Sequence, residues 1–276
     1  MDGLTIADAP GVVAPINFIE PMKEKPYSYN YEPPPGVPPR NTREETHTVK
    51  IIDARPFNDT LSLEREGFVL LRHPTAATDL YDEAQIRTVY YPECERLIRD
   101  YTGAARVHVF DHIVRNAARM GKGSRVKGYA GRVHNDYTAW SAPQRVRDLM
   151  GDEAEELLRH RYAEINVWRP IAGPLLRSPL ALCDAQTLSE ENLVGSELRY
   201  PDRTGETYAV TYNPAQRWYY FPRMMPEEAV LIRCFDSARS GAARFSAHGA
   251  FDDPNTPPDA PPRESIETRA LVFFKD

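Results

Sequence analysis

The chain has 276 residues, 41% of them hydrophobic, and a formal net charge of −6. That length buries a sizeable core as one large β-rich domain or two small ones, and the acidic balance argues against nucleic acid or an anionic membrane as a partner. No apolar run is long enough to span a membrane, no signal-peptide pattern opens the chain, and Cys94, Cys183 and Cys234 are scattered without C-x-x-C spacing, so neither a disulfide framework nor a structural zinc site is indicated and a cytoplasmic location is expected.

Residues 1–46 read as a Pro- and Tyr-rich arm and residues 47–276 as the main domain. Lys25-Pro26-Tyr27-Ser28-Tyr29-Asn30-Tyr31-Glu32-Pro33-Pro34-Pro35 cannot form a helix and favours polyproline II. Its alternating tyrosines predict a strap with one aromatic edge laid on the domain. Strands are expected over 49–54 and 67–72, and an amphipathic helix over 80–100, where apolar residues recur at helical spacing. Residues 106–110 alternate as a strand, and the Gly- and Lys-rich stretch 121–131 reads as a loop. The charged segment 141–159, with Pro143 in its first turn, predicts a second helix. From Tyr162 onward the texture is one of short strands (163–168, 179–184, 207–212, 218–221, 229–235, 243–251 and 266–274) with Pro and Gly punctuation. Such a run predicts a mainly β fold with flanking helices, a double-sheet jelly roll or a sandwich.

Within this frame lies Gly131-Arg132-Val133-His134-Asn135-Asp136-Tyr137-Thr138. Residues i and i+2 of a strand share a face, so His134 and Asp136 project together. An imidazole beside a carboxylate supplies two of the three ligands of the facial triad that holds non-haem Fe(II) with open positions. By itself H-x-D is a weak signal, since Asn-Asp is also turn chemistry. Far downstream, Arg244-Phe245-Ser246-Ala247-His248-Gly249 offers a third ligand, and Arg263-Glu264-Ser265 follows it. A guanidinium fork matches a carboxylate and the Ser hydroxyl adds a further donor. The pair, the distal His and the R-x-S together match the layout of iron/2-oxoglutarate oxygenases. Arg269 either shares the cosubstrate or anchors Glu267 or Asp252, and Asn166 is a candidate contact to the cosubstrate. Arg132, Tyr137, Trp168 and Arg169 are candidates for the substrate side, with a core role as the alternative for Trp168 and a surface or ion-paired role as the alternative for each Arg. A mutual salt bridge is expected for Arg233 and Asp236.

Cys234-Phe235-Asp236-Ser237, His248-Gly249-Ala250-Phe251 and Arg263-Glu264-Ser265-Ile266-Glu267-Thr268-Arg269 resemble the fungal hydroxylase/desaturase family typified by the aspergillic acid cluster enzyme AsaB. Tyr101-Thr102-Gly103-Ala104, Val109-Phe110-Asp111-His112, Val133-His134-Asn135-Asp136-Tyr137 and Asn166-Val167-Trp168-Arg169-Pro170 share the likeness. It runs from about residue 50 to the C-terminus. That family is similar in turn to gibberellin-type desaturases and a bacterial cephamycin-pathway protein. The resemblance implies a double-stranded β-helix of the jelly-roll, cupin-like class. It also implies Fe(II) held by His134, Asp136 and His248, 2-oxoglutarate as cosubstrate, O₂, and a small secondary-metabolite substrate that is hydroxylated or desaturated. A monomer or homodimer is expected. The rivals are a 2-oxoglutarate-independent iron enzyme, against which the R-x-S speaks, and a non-catalytic jelly-roll subunit, against which the intact triad speaks.

Overall fold

Val12, Ala14, Ile16 and Phe18 alternate with exposed or half-buried neighbours, the period of a strand with one face on a core. In the computed structural model, which describes residues 5–6, 8–119, 126, 128–239, 241 and 243–275, they form the first of fourteen strands among the described residues. These are β1 (Gly11–Ile19), β2 (Tyr27–Tyr29), β3 (Glu44–Asp53), β4 (Phe68–Arg72), β5 (Arg106–Asn116), β6 (His134–Asn135) and β7 (Tyr162–Pro170). They continue as β8 (Leu180–Cys183), β9 (Leu193–Arg199), β10 (Thr204–Val210), β11 (Trp218–Tyr220), β12 (Glu228–Asp236), β13 (His248–Ala250) and β14 (Glu264–Phe273). One sheet runs β1-β3-β11-β8-β13-β6-β10-β9-β2 and the other β4-β12-β7-β14-β5. From β5 onward the chain passes back and forth between the two, which is the winding of a double-stranded β-helix.

Trp218 and Leu182 of the larger sheet meet Trp168, Ile232 and Leu271 of the smaller one in a shared core. Ile165, Val167, Ile266 and Ala270 point to the outer face of the smaller sheet, where helix packing covers them. That cover begins at Asp82, whose side chain accepts from Ala84 N to cap α1 (Glu83–Gln85). It continues through a π-helical turn at Ile86–Tyr90 into α2 (Tyr91–Thr102) and ends at Gly103, whose φ of 70° suits glycine.

Several expectations need adjustment. Residues 11–19, read as part of an extended arm, pair antiparallel with β3, and the division at residue 46 falls inside that strand. Pro15 is tolerated because β1 is an edge strand and Pro15 is on its exposed face. The tyrosine segment lies on the domain as a strand rather than as polyproline II: β2 pairs in parallel with β9, and Tyr27, Tyr29 and Tyr31 meet edge to face with the Arg199 guanidinium 4.1 Å from the Tyr27 ring. The helix expected over 141–159 breaks at Gly151 (φ 54°) into α3 (Ser141–Met150) and α4 (Ala154–Leu157). The loop expected over 121–131 lies mostly outside the described residues. Among the described residues, no helix is long and apolar enough to cross a membrane.

Candidate active site

Strands β6 and β13 place His134 directly opposite His248. Asn135, between the two sequence-adjacent candidates, is wholly buried and ties their strands down. Its amide donates to Tyr137 O and Cys234 O at 2.7 Å each, and its Oδ1 accepts from Ser246 N at 3.2 Å. Gly249 permits the close approach, since a Cβ there would lie 3.0 Å from Val133 Cα. Each imidazole is turned by its own backbone. His134 Nδ1 is 3.0 Å from Arg132 O and His248 Nδ1 is 3.1 Å from Ser246 O, so each Nδ1 donates to its own backbone and each Nε2 is the nitrogen left for the site. The ring centroids are 4.9 Å apart.

Asp136 completes the group. Its Oδ1 is 3.4 Å from His134 Nε2, and ligand atoms from His134, Asp136 and His248 all lie within 4.8 Å of one another. Burial would push the Asp136 carboxyl up, but the hydrogen bond from His134 and the charge of Arg269 hold it well below the usual carboxylate range. Burial and the neighbouring His134 depress His248 and favour its neutral form. For His134, burial is outweighed by the hydrogen bond and charge of Asp136, and its pKa is raised. His248 Nε2 is buried with no hydrogen-bond partner among the described residues. Two imidazole nitrogens and one carboxylate oxygen converging on a point are a donor set that suits Fe(II), and the orphaned Nε2 is what such an ion would satisfy.

Strand β14 carries the second half of the site. Arg263, Ser265, Glu267 and Arg269 alternate along it and share its inner face. Arg263 is 6% exposed. Its Nη1 donates to Ser178 O at 2.8 Å, and among the described residues neither its Nε nor the Ser265 hydroxyl has a hydrogen-bond partner. Burial, followed by the charge of Arg115, pushes the Arg263 guanidinium down to about 9. A cavity of about 40 Å³ bounded by Arg115, Tyr129, Arg177, Ser178 and Arg263 adjoins it. A buried, unpaired cation with an orphaned hydroxyl two residues away fits the far carboxylate of 2-oxoglutarate.

Arg269 differs, because its fork is already filled by Asp111 at 2.6 and 2.7 Å, rather than by Glu267 or Asp252. Asn166 Nδ2 donates to Asp136 Oδ2 at 2.8 Å and to Glu267 Oε1 at 2.5 Å, so it steadies a ligand carboxylate. A cleft of about 550 Å³ opens beside Asp136 and is lined in part by Tyr137, Trp140, Arg145, Tyr200 and Arg269. Of the four substrate-side candidates, only Tyr137 is in that lining. Arg132 is turned to Thr42, to whose hydroxyl its Nη1 donates at 2.7 Å. Trp168 is core, with the Arg263 guanidinium 5.7 Å from its ring. Arg169 points away altogether, since it follows Trp168 on a strand and faces the outer side of the sheet. Arg233 and Asp236 form the expected salt bridge at 3.1 Å, and Glu64 joins it.

Sequence reasoning missed Glu267 as a site residue, whose Oε1 is 3.8 Å from His248 Nε2, although its place in the alternation Arg263, Ser265, Glu267, Arg269 was visible. It also missed Arg115, Tyr129 and Arg145, which no local signal marks.

A family model described as "Oxidoreductase/YMDC permease-like domain" matches residues 16–273. The Fe(II)/2-oxoglutarate-dependent dioxygenase nvfI of Aspergillus novofumigatus is 33% identical over 270 residues, covering 93% of this chain and 94% of that protein. The hydroxylase/desaturase CTB9 of Cercospora beticola is 34% identical, with 99% and 96% covered. Among solved structures, the iron and alpha-ketoglutarate-dependent endoperoxidase NvfI superposes with a TM-score of 0.88 at 31% identity, over 96% of this chain and 98% of that one. The fold is thus shared with these enzymes, and the chain belongs to the Fe(II)/2-oxoglutarate-dependent hydroxylase/desaturase family of secondary metabolism.

Proposed function

We propose that this enzyme hydroxylates or desaturates a small secondary-metabolite substrate held in the cleft beside Asp136, with His134, Asp136 and His248 as iron ligands and Arg263 and Ser265 as the cosubstrate anchor. The observation that carries this reading is a donor set suited to iron on the larger sheet, with His248 buried and His134 and Asp136 part-buried, together with a buried guanidinium that has no carboxylate hydrogen-bonded to it on the smaller sheet. When bound, iron and 2-oxoglutarate supply oxidative decarboxylation to succinate and CO₂, coupled through O₂ to removal of hydrogen from an unactivated C–H bond.

The chain's own residues prepare this chemistry. The carbonyls of Arg132 and Ser246 fix both imidazoles with Nε2 inward, and Asn166 holds Asp136 Oδ2 so that Oδ1 faces His134. The Asp111–Arg269 fork and Tyr137 form the wall nearest Asp136. Lys25 in the strap reaches Glu206 at 2.7 Å, and Glu206 accepts from the Thr138 hydroxyl at 2.6 Å, which braces the cleft from the N-terminal side. Three buried free cysteines support a reducing, cytoplasmic setting, and we take the working form to be a monomer or homodimer without a nucleic-acid partner. The test is to supply Fe(II), O₂ and 2-oxoglutarate labelled at C1 and to count the CO₂ and succinate released without substrate. Slow iron-dependent release that His134→Ala abolishes is expected; release that is independent of iron, or unaffected by the substitution, would overturn the proposal.

A further inference from the structure

Arg169 is a cation in an apolar place. It shares the outer face of the smaller sheet with Ile165 and Val167, beneath the π-helical turn and α2, with the sheet itself between it and the iron ligands. Its side chain is wholly buried. Nη1 reaches only the Pro226 carbonyl, at 3.4 Å, while Nε and Nη2 have no partner among the described residues. The guanidinium lies 5.0 Å from the centroid of the Tyr90 ring. Around it the Tyr90 hydroxyl, the Thr268 hydroxyl and His73 Nε2 have no well-formed hydrogen bond among the described residues, although Tyr90 lies within reach of Arg169 and the Cys94 thiol within reach of Tyr90 and Thr268. The buried acid on the same helix is committed elsewhere: Glu93 Oε1 accepts from Ala76 N at 2.9 Å, and its Oε2 accepts from the Thr75 hydroxyl at 2.5 Å. This buried cluster therefore gathers hydrogen-bond donors around one guanidinium, and among the described residues no carboxylate is hydrogen-bonded to it.

We propose that this buried cluster binds one small inorganic anion of the halide class. Water would satisfy the hydroxyls but leave the guanidinium charge uncompensated in an apolar surrounding, where an unpaired charge is costly. A monovalent halide neutralises one guanidinium and accepts several N–H and O–H donors without demanding a fixed geometry. Complete burial and a single positive charge favour such an ion over sulfate or phosphate. The ion would bind the π-helical turn and α2 to β7 and β14, on the side of the sheet away from the active site.

Crystals of the full chain transferred from chloride to bromide, with data collected at the bromine edge, give the direct test. An anomalous peak between Arg169 and the Tyr90 hydroxyl is expected. In solution, melting temperature is followed in gluconate with added sodium bromide at constant ionic strength. The wild type should show a saturable rise. Tyr90→Phe, which keeps the cation and loses one donor, should need about tenfold more halide, the loss typical of one hydrogen bond to a charged group. Arg169→Met should show no saturable response. Should Arg169→Met fail to fold, Tyr90→Phe and the anomalous map still decide. A cluster that holds water alone overturns the proposal, as does a bromide peak at crystal concentration only, without a saturable effect in solution.

Discussion

Replacing Arg263 with glutamine separates cosubstrate binding from folding. The wild-type guanidinium is buried, with its Nε unpartnered among the described residues, and burial together with Arg115 lowers it from its ordinary value to about 9. A depression of that size corresponds to a cost on the order of 4–5 kcal/mol for holding the charge there without an anion. Because the pKa of a cationic group is lowered, this cost is fully present below pH 9 and recedes only as the pH rises above it. Glutamine removes the charge, so the cosubstrate-free Arg263→Gln protein should melt no lower than wild type, even with the Ser178 hydrogen bond lost. Binding behaves oppositely. A carboxylate in the fork gains two charge-assisted hydrogen bonds of roughly 1.5–3 kcal/mol each, so Arg263→Gln should weaken 2-oxoglutarate by about a hundredfold or more. Arg263→Lys keeps the charge without the fork and should fall between the two. The assay is anaerobic calorimetric titration of the Fe(II)-loaded proteins with 2-oxoglutarate, beside thermal melts without it. Wild-type affinity in Arg263→Gln, with the loss appearing in Arg269→Gln instead, would refute the reasoning.

Arg269→Gln strips Asp111 of its bidentate partner. With the two side chains 22% and 34% exposed, solvent screens part of the loss, and roughly 1–3 kcal/mol of stability should go while 2-oxoglutarate affinity stays near wild type; an unchanged unfolding midpoint in urea would count against the ion pair. Glu64 is held below its ordinary 4.5, first by its hydrogen bond to Arg233. A depressed carboxylate stabilises above its unfolded value, and that stability is lost as the pH falls through the folded value. The wild type should therefore lose its advantage over Glu64→Gln on acidification below about pH 4.5, and parallel melting curves from pH 3 to 7 would contradict this. Deleting residues 1–46 should leave the remainder unfolded rather than active. It removes buried Val12, Ile16, Phe18 and Ile19, each contributing roughly 1.5–3 kcal/mol, against a total stability on the order of 5–15 kcal/mol. It also removes Asn17, whose carbonyl accepts from Val133 N at 3.0 Å beside the iron ligands. A soluble, cooperatively melting 47–276 fragment would show otherwise.

What the sequence made legible follows from range. His134 and Asp136 are neighbours whose strand periodicity puts them on one face, and His248 and Arg263-x-Ser265 carry their chemistry in their own residue types. Partners drawn from distant strands left no such trace: Asp111 for Arg269 and Glu267 for Asn166 depend on the β5–β14–β7 register. Arg169 and Trp168 were both offered for the substrate side, although successive side chains on a strand point to opposite faces. The alternation Val12, Ala14, Ile16, Phe18 was present but was overshadowed by the prolines around it, and an edge strand accommodates Pro15. Strand β9 was missed because nearly all of its residues are only half buried, which leaves no two-residue pattern to read.

The central claim is that His134, Asp136 and His248 hold one iron. Anaerobic titration of the full chain with Fe(II), read by the absorbance that develops when 2-oxoglutarate is added, tests it most directly. The account predicts about one equivalent bound by the wild type and neither binding nor the absorbance band in His134→Ala or His248→Ala proteins that still melt cooperatively. Wild-type stoichiometry and affinity in those two variants would contradict it.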